Sequence, residues 1–509
     1  MMMYNLSSFI EVLKNEAVLI ESNAEDLSIK GVADNSKKVG DGYLFVCKGH
    51  WFKEEYLTDA IKRGAACYMA ETKYDAGCDL PYIIVNDIRQ AMIKLATSFY
   101  RHPSDELDIV GITGTKGKTT SIHMLKGALD AWDTAEYGKL SGMLSTIESF
   151  DGAETVASVN TTPEPIELNA CLRRMIDNGL KHCALEVSSQ ALRYGRTDGV
   201  NMKVGAFLTM GRDHISSAEH KDFEDYITAK LKIFEQSDIG VVNLDMDYAD
   251  RILAYAKEQC EKVLTYSMKD ENADFYTYGY DKDGSHYVFK VKSALFNSDD
   301  NVESFSISIP GNFNASNATA VIAACTAIGE PVQYIKEGIK DLFIEGHMEV
   351  FKSKDGMIVA VADYAHNKLS YETLFDAVTE EYPEHAKNIS IIYGSVGDKA
   401  EERREELGTI TGQRAKMSYI SADYPGHEPF EKIANEIAHF VELQGGEYEI
   451  IENRNEAIEK AFSKVDGPTA ILACGFGRLE NQKYGDEYLP RESDVDCIIR
   501  MLKAYDEEH

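Results

Sequence analysis

The pattern of apolar and polar positions changes twice along the chain. The N-terminal part mixes short apolar runs, such as YLFVC and PYIIV, with helical stretches, and it ends in a polar turn. The chain then repeats strand and helix patterns, and the pattern changes again near Gly346. We therefore predict three domains, which cover residues 1–103, 104–344 and 345–509.

The second and third segments have the pattern of parallel sheets covered by helices. The runs HCALEV and VGAFLTM are almost wholly apolar, as expected of strands that are buried on both faces. A helix that follows the run LDIVGIT and precedes both of these runs places Ile122, Leu125, Leu129 and Trp132 on one face. Beyond Gly346, the runs MIVAVADY, ISIIYG, MSYISADY and TAILACG alternate with helical segments. The predicted fold class is α/β, with a central parallel-sheet domain and a C-terminal Rossmann-like, doubly wound domain.

Composition narrows the class of protein. The 509 residues are 44% hydrophobic and 27% charged, which is typical of a folded globular chain. A net charge of −32 argues against a nucleic acid partner, because phosphate backbones are bound by Lys and Arg. No apolar run is long enough to span a membrane, and the nine cysteines show no C-x-x-C spacing. We expect a cytoplasmic protein without membrane insertion, whose cysteines are buried.

A glycine-rich stretch lies between the apolar run LDIVGIT and the predicted helix. Backbone N–H groups in such a loop bind phosphates together with the positive end of the helix dipole. Lys118 would reach the terminal phosphates of a nucleotide, and the Thr119 hydroxyl a magnesium ion. Ile112 stands where the general motif has its first glycine, so the loop is a variant; a turn that merely caps a helix is the alternative. The predicted ATP-binding residues of this P-loop ATPase-like domain are Gly114, Thr115, Lys116, Gly117, Lys118, Thr119 and Thr120.

Two further residues stand at the ends of predicted strands in the same sheet. Glu186 closes the run HCALEV, and His214 follows VGAFLTM. Ligands gather outside the carboxyl ends of parallel strands, so both side chains are candidate metal ligands beside the phosphate loop. Either one alone would be interpreted as a solvated residue. His220, by contrast, is predicted to be a surface residue.

The loop and several later motifs resemble those of the Mur ligase family. The family's loop reads G-x-T-G-T-x-G-K-T, here residues 111–119. Within the family, the motifs most resemble members that add the third amino acid to the peptidoglycan precursor UDP-MurNAc-L-Ala-D-Glu, and residues 52–57 resemble lysine-adding members. The resemblance continues through residues 160–163, 185–190, 213–214, 311–314 with Asn317, and 363–366.

The resemblance implies a set of site residues and two cofactors, ATP and Mg²⁺. Lys118, Glu186, His214 and Lys230 match catalytic positions, and the last three, with Thr119, match metal-binding ones; Lys230 matches a lysine that becomes carboxylated. Without the family, Lys230 would be interpreted as a helix-surface lysine. Matches to the uridine-facing N-terminal domain and the UDP-substrate site are Ser36, Lys37, Thr161, Thr162, Ser188, Gln190 and Arg196. Further matches near ATP are Asn317, His347, Asp363 and His366.

The implied reaction starts with attack of the substrate's D-Glu carboxylate on the γ-phosphate of ATP. The amine of the incoming amino acid then converts the acyl phosphate into an amide. Every reacting group is negative, so magnesium and Lys118 would supply the main electrostatic stabilisation. The expected substrates are UDP-MurNAc-dipeptide and a free amino acid, and we expect a monomer.

Departures from the family motifs affect the choice of amino acid. Diaminopimelate-adding members carry Asp-Asn-Pro-Arg, whose guanidinium pairs with the second carboxylate. This chain has Gly426 at the arginine position, which favours lysine or ornithine, although Arg478 could supply a guanidinium from another strand. The predicted amino-acid-binding residues are Asp423, Tyr424, Gly426, Gly475 and Arg478.

Two other functions remain open from the sequence. A paralogue could use the same chemistry on diaminopimelate, ornithine or another acceptor, because Tyr424 and Phe476 depart from the family pattern. A nucleotide-sensing binding protein without catalysis is the alternative of another class. It is suggested by His347, which replaces the arginine of the family's Gly-Arg-Met-Glu and is mostly neutral at pH 7.

Overall fold

The chain folds into three α/β domains, one after another along the sequence, in agreement with the predicted fold class. Each domain is built around its own sheet, of five, eleven and six strands in turn. The computed structural model describes residues 3–49, 52–75, 79–211, 220–342, 344–346, 348–398 and 401–509.

The N-terminal domain has a five-stranded sheet in the order β2-β7-β6-β5-β4. Four of these strands are parallel, and β2 pairs antiparallel to β7 at one edge. The apolar runs YLFVC and PYIIV form β5 and β7, as predicted. The elements are β1 (Tyr4–Asn5), α1 (Leu6–Asn15), β2 (Leu19–Ser22), β3 (Ser28–Ile29), β4 (Gly31–Ala33), β5 (Tyr43–Val46), α2 (Glu54–Lys62), β6 (Ala65–Ala70), β7 (Tyr82–Val85) and α3 (Ile88–Phe99).

The central domain contains an eleven-stranded sheet in the order β11-β10-β9-β12-β8-β13-β14-β15-β16-β17-β18. Its elements are β8 (Asp108–Thr113), α4 (Lys118–Tyr137), β9 (Gly142–Leu144), β10 (Glu148–Phe150), β11 (Thr155–Ala157), α5 (Pro165–Asp177), β12 (His182–Glu186), α6 (Ser189–Arg193), β13 (Met202–Phe207), α7 (Phe223–Leu231), β14 (Ser237–Asn243), α8 (Ala249–Gln259), β15 (Lys262–Ser267), β16 (Phe275–Asp283), β17 (His286–Lys292), β18 (Val302–Ile307), α9 (Asn312–Ala327) and α10 (Val332–Lys340).

The C-terminal domain is doubly wound, as predicted. Its sheet has the order β19-β20-β24-β21-β22-β23, and only β19 is antiparallel to its neighbour. The elements are β19 (Glu349–Lys352), β20 (Ile358–Asp363), α11 (Lys368–Glu381), β21 (Ile389–Tyr393), α12 (Glu402–Arg414), β22 (Met417–Ile420), α13 (Phe430–Leu443), β23 (Tyr448–Ile450), α14 (Arg454–Phe462), β24 (Thr469–Cys474), β25 (Asn481–Tyr484), β26 (Glu487–Pro490) and α15 (Asp494–Glu508).

Strand β8 lies in the middle of the central sheet and fixes the position of the phosphate loop. It pairs in parallel with β12 on one side and β13 on the other. Four residues separate the end of β8 from the start of α4, and Ile122, Leu125 and Leu129 form the buried face of α4. Trp132 is half-buried and stacks on His182, with ring centroids 4.6 Å apart. The helix face predicted from the apolar spacing is therefore confirmed.

The central sheet is not parallel throughout, which the sequence pattern did not predict. At one edge β16, β17 and β18 form an antiparallel meander, and at the other β10 pairs antiparallel with β9 and β11. Burial alternates along most of β17, because one face packs on the core and the other faces solvent. The wholly apolar runs identified from the sequence belong only to the parallel middle of this sheet.

The cysteines behave as predicted in the part of the chain that the structure describes. Seven of the eight described cysteines are buried, Cys260 is half-buried, and all eight are free thiols. Within the same residues, no helix combines the length and the apolar character that a membrane span requires.

One carboxyl group lies deep in the central domain, far along the sequence from the phosphate loop. Glu330 follows α9 and is 3% exposed, and neither carboxylate oxygen has a hydrogen-bond partner of ordinary geometry within the described residues. Burial raises the pKa of Glu330 to about 8, and Asp133 adds to the effect while Cys325 opposes it. The protein therefore accommodates this side chain best in its neutral form.

Glu330 should make stability depend on pH. The pKa of Glu330 is raised in the folded state. Its contribution to the free energy of unfolding is therefore fully present below pH 4.5, the ordinary pKa, and is lost as the pH rises through about 8. As the pH rises from about 5 to about 8, we expect the free energy of unfolding of Glu330→Gln to increase by about 3 kcal/mol relative to that of the unmodified protein. Thermal unfolding followed by circular dichroism across this range tests the expectation. The exposed Glu261→Gln serves as control; an equal trend in both variants would contradict it.

Candidate functional site

The phosphate loop is a tight turn between β8 and α4 that needs glycine. Gly117 has φ +84° and is the N-cap residue of α4. A Cβ atom on Gly117 would overlap the side chain of Asn317 from α9, whose amide donates to Asn314 at 3.1 Å. The loop therefore packs directly on α9, and the predicted ATP-binding residue Asn317 lies beside it.

Hydrogen bonds hold the loop against the segment that follows β13. The Thr115 N–H donates to the Thr209 carbonyl at 2.9 Å, and the Lys116 N–H donates to the Thr209 hydroxyl at 2.8 Å. The Gly211 N–H donates in turn to the Thr115 hydroxyl at 3.1 Å. The predicted ligand His214, a few residues beyond Gly211, lies outside the described residues.

Two lysine ammonium groups converge on one carbonyl of the loop. Lys118 Nζ lies 3.0 Å from the Gly114 oxygen, and Lys230 Nζ lies 2.8 Å from the same atom. Lys230 is only 1% exposed, so its interpretation from the sequence alone as a helix-surface lysine was wrong. Helix α7 buries it because that helix packs with Tyr226 and Lys230 toward the loop. One buried and one half-buried ammonium group at the same loop favour a bound polyanion.

Glu186 places a buried carboxylate opposite the start of α4. It is 1% exposed and accepts hydrogen bonds from the Thr119 hydroxyl at 3.1 Å and from the Thr146 N–H and hydroxyl, both at 2.9 Å. One carboxylate and one threonine hydroxyl fit Mg²⁺, which takes few protein ligands and completes its shell with phosphate and water. The described residues contain no cluster of three His, Cys, Asp or Glu side chains that would suit a metal held by protein alone.

The predicted UDP-substrate residues of the central domain meet at the same strand end. The Thr162 hydroxyl donates to the Glu186 carbonyl at 2.8 Å and accepts the Ser188 N–H at 3.0 Å. The Thr161 and Thr146 hydroxyls are 3.1 Å apart. Gln190 lies in the short helix α6 that follows. Thr162 is thus bonded directly to Glu186, and Thr161 and Ser188 are each linked to Glu186 through one further hydroxyl group.

Arg196 faces an acidic partner that the sequence did not reveal. Its Nη1 donates to the Thr162 carbonyl at 3.2 Å, and its Nε forms an ion pair with Glu164 at 2.8 Å. Glu164 also pairs with Lys48 of the N-terminal domain, which pairs with Asp34 at 3.0 Å. Burial raises the pKa of Glu164, but Lys48 and Arg196 outweigh it and hold the pKa below its ordinary value. Glu164 therefore links two domains at the predicted substrate arginine.

Ser36 and Lys37 lie in the N-terminal domain, beyond the end of β4. Ser36 is 8% exposed, and Lys37 is exposed. The Asn35 side chain accepts the Lys37 N–H at 3.0 Å and so starts a single turn of 3-10 helix. This turn stands next in sequence to Asp34, the partner of Lys48.

His220 corrects another expectation. It was predicted to be a surface residue, but its side chain is completely buried. Its Nδ1 lies 2.9 Å from Asp225 Oδ2, and its Nε2 lies 3.1 Å from Ser189 Oγ. A lone histidine in a polar stretch gives no sign of such partners, because they come from α6 and from the start of α7.

In the C-terminal domain, Asp363 accepts hydrogen bonds from the segment that precedes the first strand of the domain and from the turn that follows β20. Its carboxylate accepts the Met348 N–H at 2.7 Å and the Ala365 N–H at 2.6 Å. His366 is exposed, and its Nδ1 lies 2.8 Å from the Tyr364 carbonyl. His347, the predicted ATP-side residue between Gly346 and Met348, lies outside the described residues.

The segment after β22 that is predicted to bind the amino acid substrate, residues 423–427, leaves no space for a side chain at Gly426. It is called the amino-acid segment below. Gly426 has φ +61°, which favours glycine, and a Cβ atom there would overlap the Asp398 carboxylate. Asp398 Oδ2 in turn accepts the His427 N–H at 2.8 Å. The Gln482 amide fixes the other side of the segment through the Asp423 carbonyl at 2.7 Å. An arginine at position 426 would require this loop to rearrange.

Arg478 forms an ion pair with two parallel contacts. Its Nε and Nη2 each lie 2.8 Å from an oxygen of Glu349, which is 4% exposed. This is the forked geometry that guanidinium groups make with carboxylates. Gly475, by contrast, lies directly beside the Asp423 carboxylate, and its N–H donates to the Asp363 carbonyl at 2.8 Å.

A buried ion pair between Arg454 and Asp494 packs beside the amino-acid segment. Arg454 and Asp494 are almost completely buried and form a two-pronged ion pair, with Nε to Oδ1 at 2.9 Å. The Phe476 ring stacks on Tyr424, with centroids 5.0 Å apart, and lies 4.9 Å from the Arg454 guanidinium carbon. Burial raises the pKa of Asp423 to about 6, although Arg454 opposes the shift. Sequence reasoning missed Arg454 and Asp494, since forty positions separate them.

A nucleotide-type phosphate loop, a buried carboxylate at the adjacent strand end and a third α/β domain together fit an ATP-dependent ligase of the three-domain type. Family models agree: residues 112–325 match the Mur ligase middle domain, and residues 346–477 match the Mur ligase glutamate ligase domain. The chain belongs to the Mur ligase family, whose members are ATP-dependent ligases.

Similar proteins extend over almost the whole chain. It is 34% identical over 489 residues to the UDP-N-acetylmuramoyl-L-alanyl-D-glutamate–L-lysine ligase of Streptococcus pneumoniae, covering 93% of this chain and 95% of the relative. It is 32% identical over 490 residues to the corresponding 2,6-diaminopimelate ligase of Clostridium perfringens, covering 95% and 96%. The fold resembles the structure of MurF ligase from Thermotoga maritima in complex with ADP, with a TM-score of 0.63, 17% identity and coverage of 94% and 98%.

The crowding at Gly117 leads to a test of the loop. We expect Gly117→Ala to weaken the binding of Mg-ADP by at least about tenfold, because the methyl group and the left-handed backbone both displace the loop. Isothermal titration measures the affinity. Gly138→Ala at the other end of α4 is the matched control, since φ there is +66° but no atom lies within 4 Å of the added carbon. Equal affinities for the two variants would contradict the assignment.

Proposed function

We propose that this chain adds L-lysine to UDP-MurNAc-L-Ala-D-Glu in an ATP-dependent reaction of peptidoglycan synthesis. The observation that supports lysine best is the crowded Gly426, where the Asp398 carboxylate occupies the space that an arginine side chain would need. A second carboxylate on the amino acid would meet a negative charge at this place. A cationic side chain would be attracted instead.

Two neighbouring groups support the same choice. Arg478 already uses its forked guanidinium on Glu349, so it is committed to a carboxylate of the protein itself. Asp423 adds a carboxyl group at the amino-acid segment whose pKa, about 6, leaves it mostly ionised at pH 7. Both features favour an ammonium group over a carboxylate on the incoming side chain.

The proposed reaction forms an acyl phosphate from the D-Glu carboxylate and then an amide with the amino acid. Lys118 and Lys230 lie at the loop that would hold the phosphates, and Lys118 would offset the repulsion between the carboxylate and the γ-phosphate. Thr119 and Glu186 would hold Mg²⁺, with His214 and a carboxylated Lys230 as further ligands. The metal would supply charge neutralisation on the phosphates when bound. Thr161, Thr162, Ser188, Gln190 and Arg196 would position the UDP-linked dipeptide.

The three sheets are compatible with domain limits at 103/104 and 344/345, since each sheet is complete within one segment. We infer a monomer that works in the cytoplasm, where ATP and UDP-linked precursors are available.

Product analysis tests the amino acid. The purified protein is incubated with UDP-MurNAc-L-Ala-D-Glu, Mg-ATP and equal amounts of lysine, ornithine and diaminopimelate, and the product is identified by mass spectrometry. We expect the lysine adduct to dominate. A dominant diaminopimelate adduct would overturn the choice of amino acid, and absence of any adduct would overturn the substrate.

A single substitution tests the role of the loop lysine. We expect Lys118→Ala to reduce turnover by at least about a hundredfold, because the transferring phosphoryl group loses its nearest fixed cation. Binding of the UDP-substrate, measured by titration without nucleotide, should be unchanged. Lys126→Ala, about two turns further along α4 and paired with Asp130, is the control and should keep normal turnover. Loss of UDP-substrate binding in Lys118→Ala would show that the substrate site is misplaced.

A further inference from the structure

A chain of three side chains, with the buried His220 at its centre, joins helices α6 and α7. His220 is completely buried; its Nδ1 meets Asp225 Oδ2 at 2.9 Å and its Nε2 meets Ser189 Oγ at 3.1 Å. Burial raises the pKa of Asp225, but the hydrogen bond from His220 and the charge of Arg193 outweigh it and hold the pKa below its ordinary value. An ionised Asp225 only accepts, so His220 Nδ1–H donates to it. Both ring nitrogens are thus engaged between two different helices.

The two helices contact different halves of the site. On α7, the Tyr226 hydroxyl donates to the Thr115 hydroxyl at 3.2 Å, and Lys230 Nζ donates to the Gly114 carbonyl at 2.8 Å. The side of α7 that faces the nucleotide loop therefore carries two direct hydrogen bonds to it. Any shift of the loop when phosphates bind acts on these two contacts.

Helix α6 begins at the segment proposed to hold the UDP-substrate. The Ser188 N–H donates to the Thr162 hydroxyl at 3.0 Å, and that hydroxyl donates to the Glu186 carbonyl at 2.8 Å. The Ser188 side chain caps α6 by accepting the Ala191 N–H at 3.2 Å. Ser189, the next residue, is the partner of His220. The start of α6 is consequently fixed both at Glu186 and at His220.

We propose that His220 is a positioning residue that couples the nucleotide loop to the UDP-substrate segment, by tying Ser189 of α6 to Asp225 of α7. A shift of α7 on nucleotide binding is transmitted through this tie to the start of α6. The inference rests on the proposed function only for the identity of the substrate. The coupling itself requires nothing more than nucleotide binding at the loop.

The coupling is measured first without any UDP-substrate. Hydrogen exchange of the amides in residues 189–196 is followed with and without Mg-ADP, because the bonds from Tyr194 to Gln190 and from Arg196 to Ala191 lie there. We expect Mg-ADP to slow this exchange by about five- to tenfold in the unmodified protein. In His220→Asn the slowing should disappear. Equal slowing in both proteins, or no slowing in the unmodified one, would overturn the proposal.

Kinetics then separates positioning from a purely structural role. Asparagine at 220 can keep the contact with Asp225 but not the one with Ser189, whereas glutamine can reach Ser189. We expect His220→Asn and Ser189→Ala each to raise the KM for the UDP-substrate by about fivefold or more, with the KM for ATP changed less than about twofold. His220→Gln loses the contact with Asp225 instead, so it should raise the same KM to a similar extent. The double variant Ser189→Ala with His220→Asn should be no worse than either alone.

A second buried histidine provides the matched control. His182 is 4% exposed, its Nδ1 lies 2.6 Å from Asp133, and it stands at the opposite end of β12 from Glu186. His182→Asn should lower stability without altering either KM. If His220→Asn behaves in the same way, the coupling role is overturned. If the unmodified protein shows the exchange effect but turns over no amino acid, the proposed function fails while the coupling stands.

Discussion

The hydrogen bonds that the buried carboxylate of Glu186 accepts are the interactions on which the rest of the candidate site depends. An ionised carboxylate removed from water is costly unless hydrogen-bond donors or cations surround it. The chain meets this requirement with the Thr119 hydroxyl and with both donors of Thr146, which come from the helix after β8 and from the turn after β9. The carbonyl of the same residue accepts from Thr162. Three segments distant in sequence are therefore held at one strand end.

The parts of this arrangement that the sequence predicted are those set by local pattern. The run HCALEV is apolar because β12 is buried on both faces, so its polar end at Glu186 stands out. The stretch around Lys118 and Thr119 is recognisable because glycine is required between a strand and a helix that both show clear periodicity. Confirmed elements such as α4 have the same origin, since Ile122 and Leu125 mark a buried face without reference to any other segment.

The parts that the sequence could not predict depend on contacts between distant segments. His220 lies just before the start of α7, and Lys230 lies near its end. Both are polar residues that become buried only because α7 packs on the phosphate loop and on α6. Glu164 meets Lys48 from another domain. The antiparallel strands β16–β18 lack the apolar runs that indicated the parallel strands, and burial alternates along most of β17. For Lys230, His220 and Glu164 the deciding partner is far away along the chain.

The crowding between Gly426 and Asp398 constrains how this loop can change during evolution. An arginine at position 426 alone would meet both an unfavourable backbone conformation and an occupied space. Removing the Asp398 side chain alone would release the His427 N–H that it accepts. Neither single replacement leads through a well-formed intermediate, so the two positions are expected to be epistatic. On the proposed amino-acid-binding role of this loop, a switch in the preferred amino acid would then need both replacements together and would resist drift.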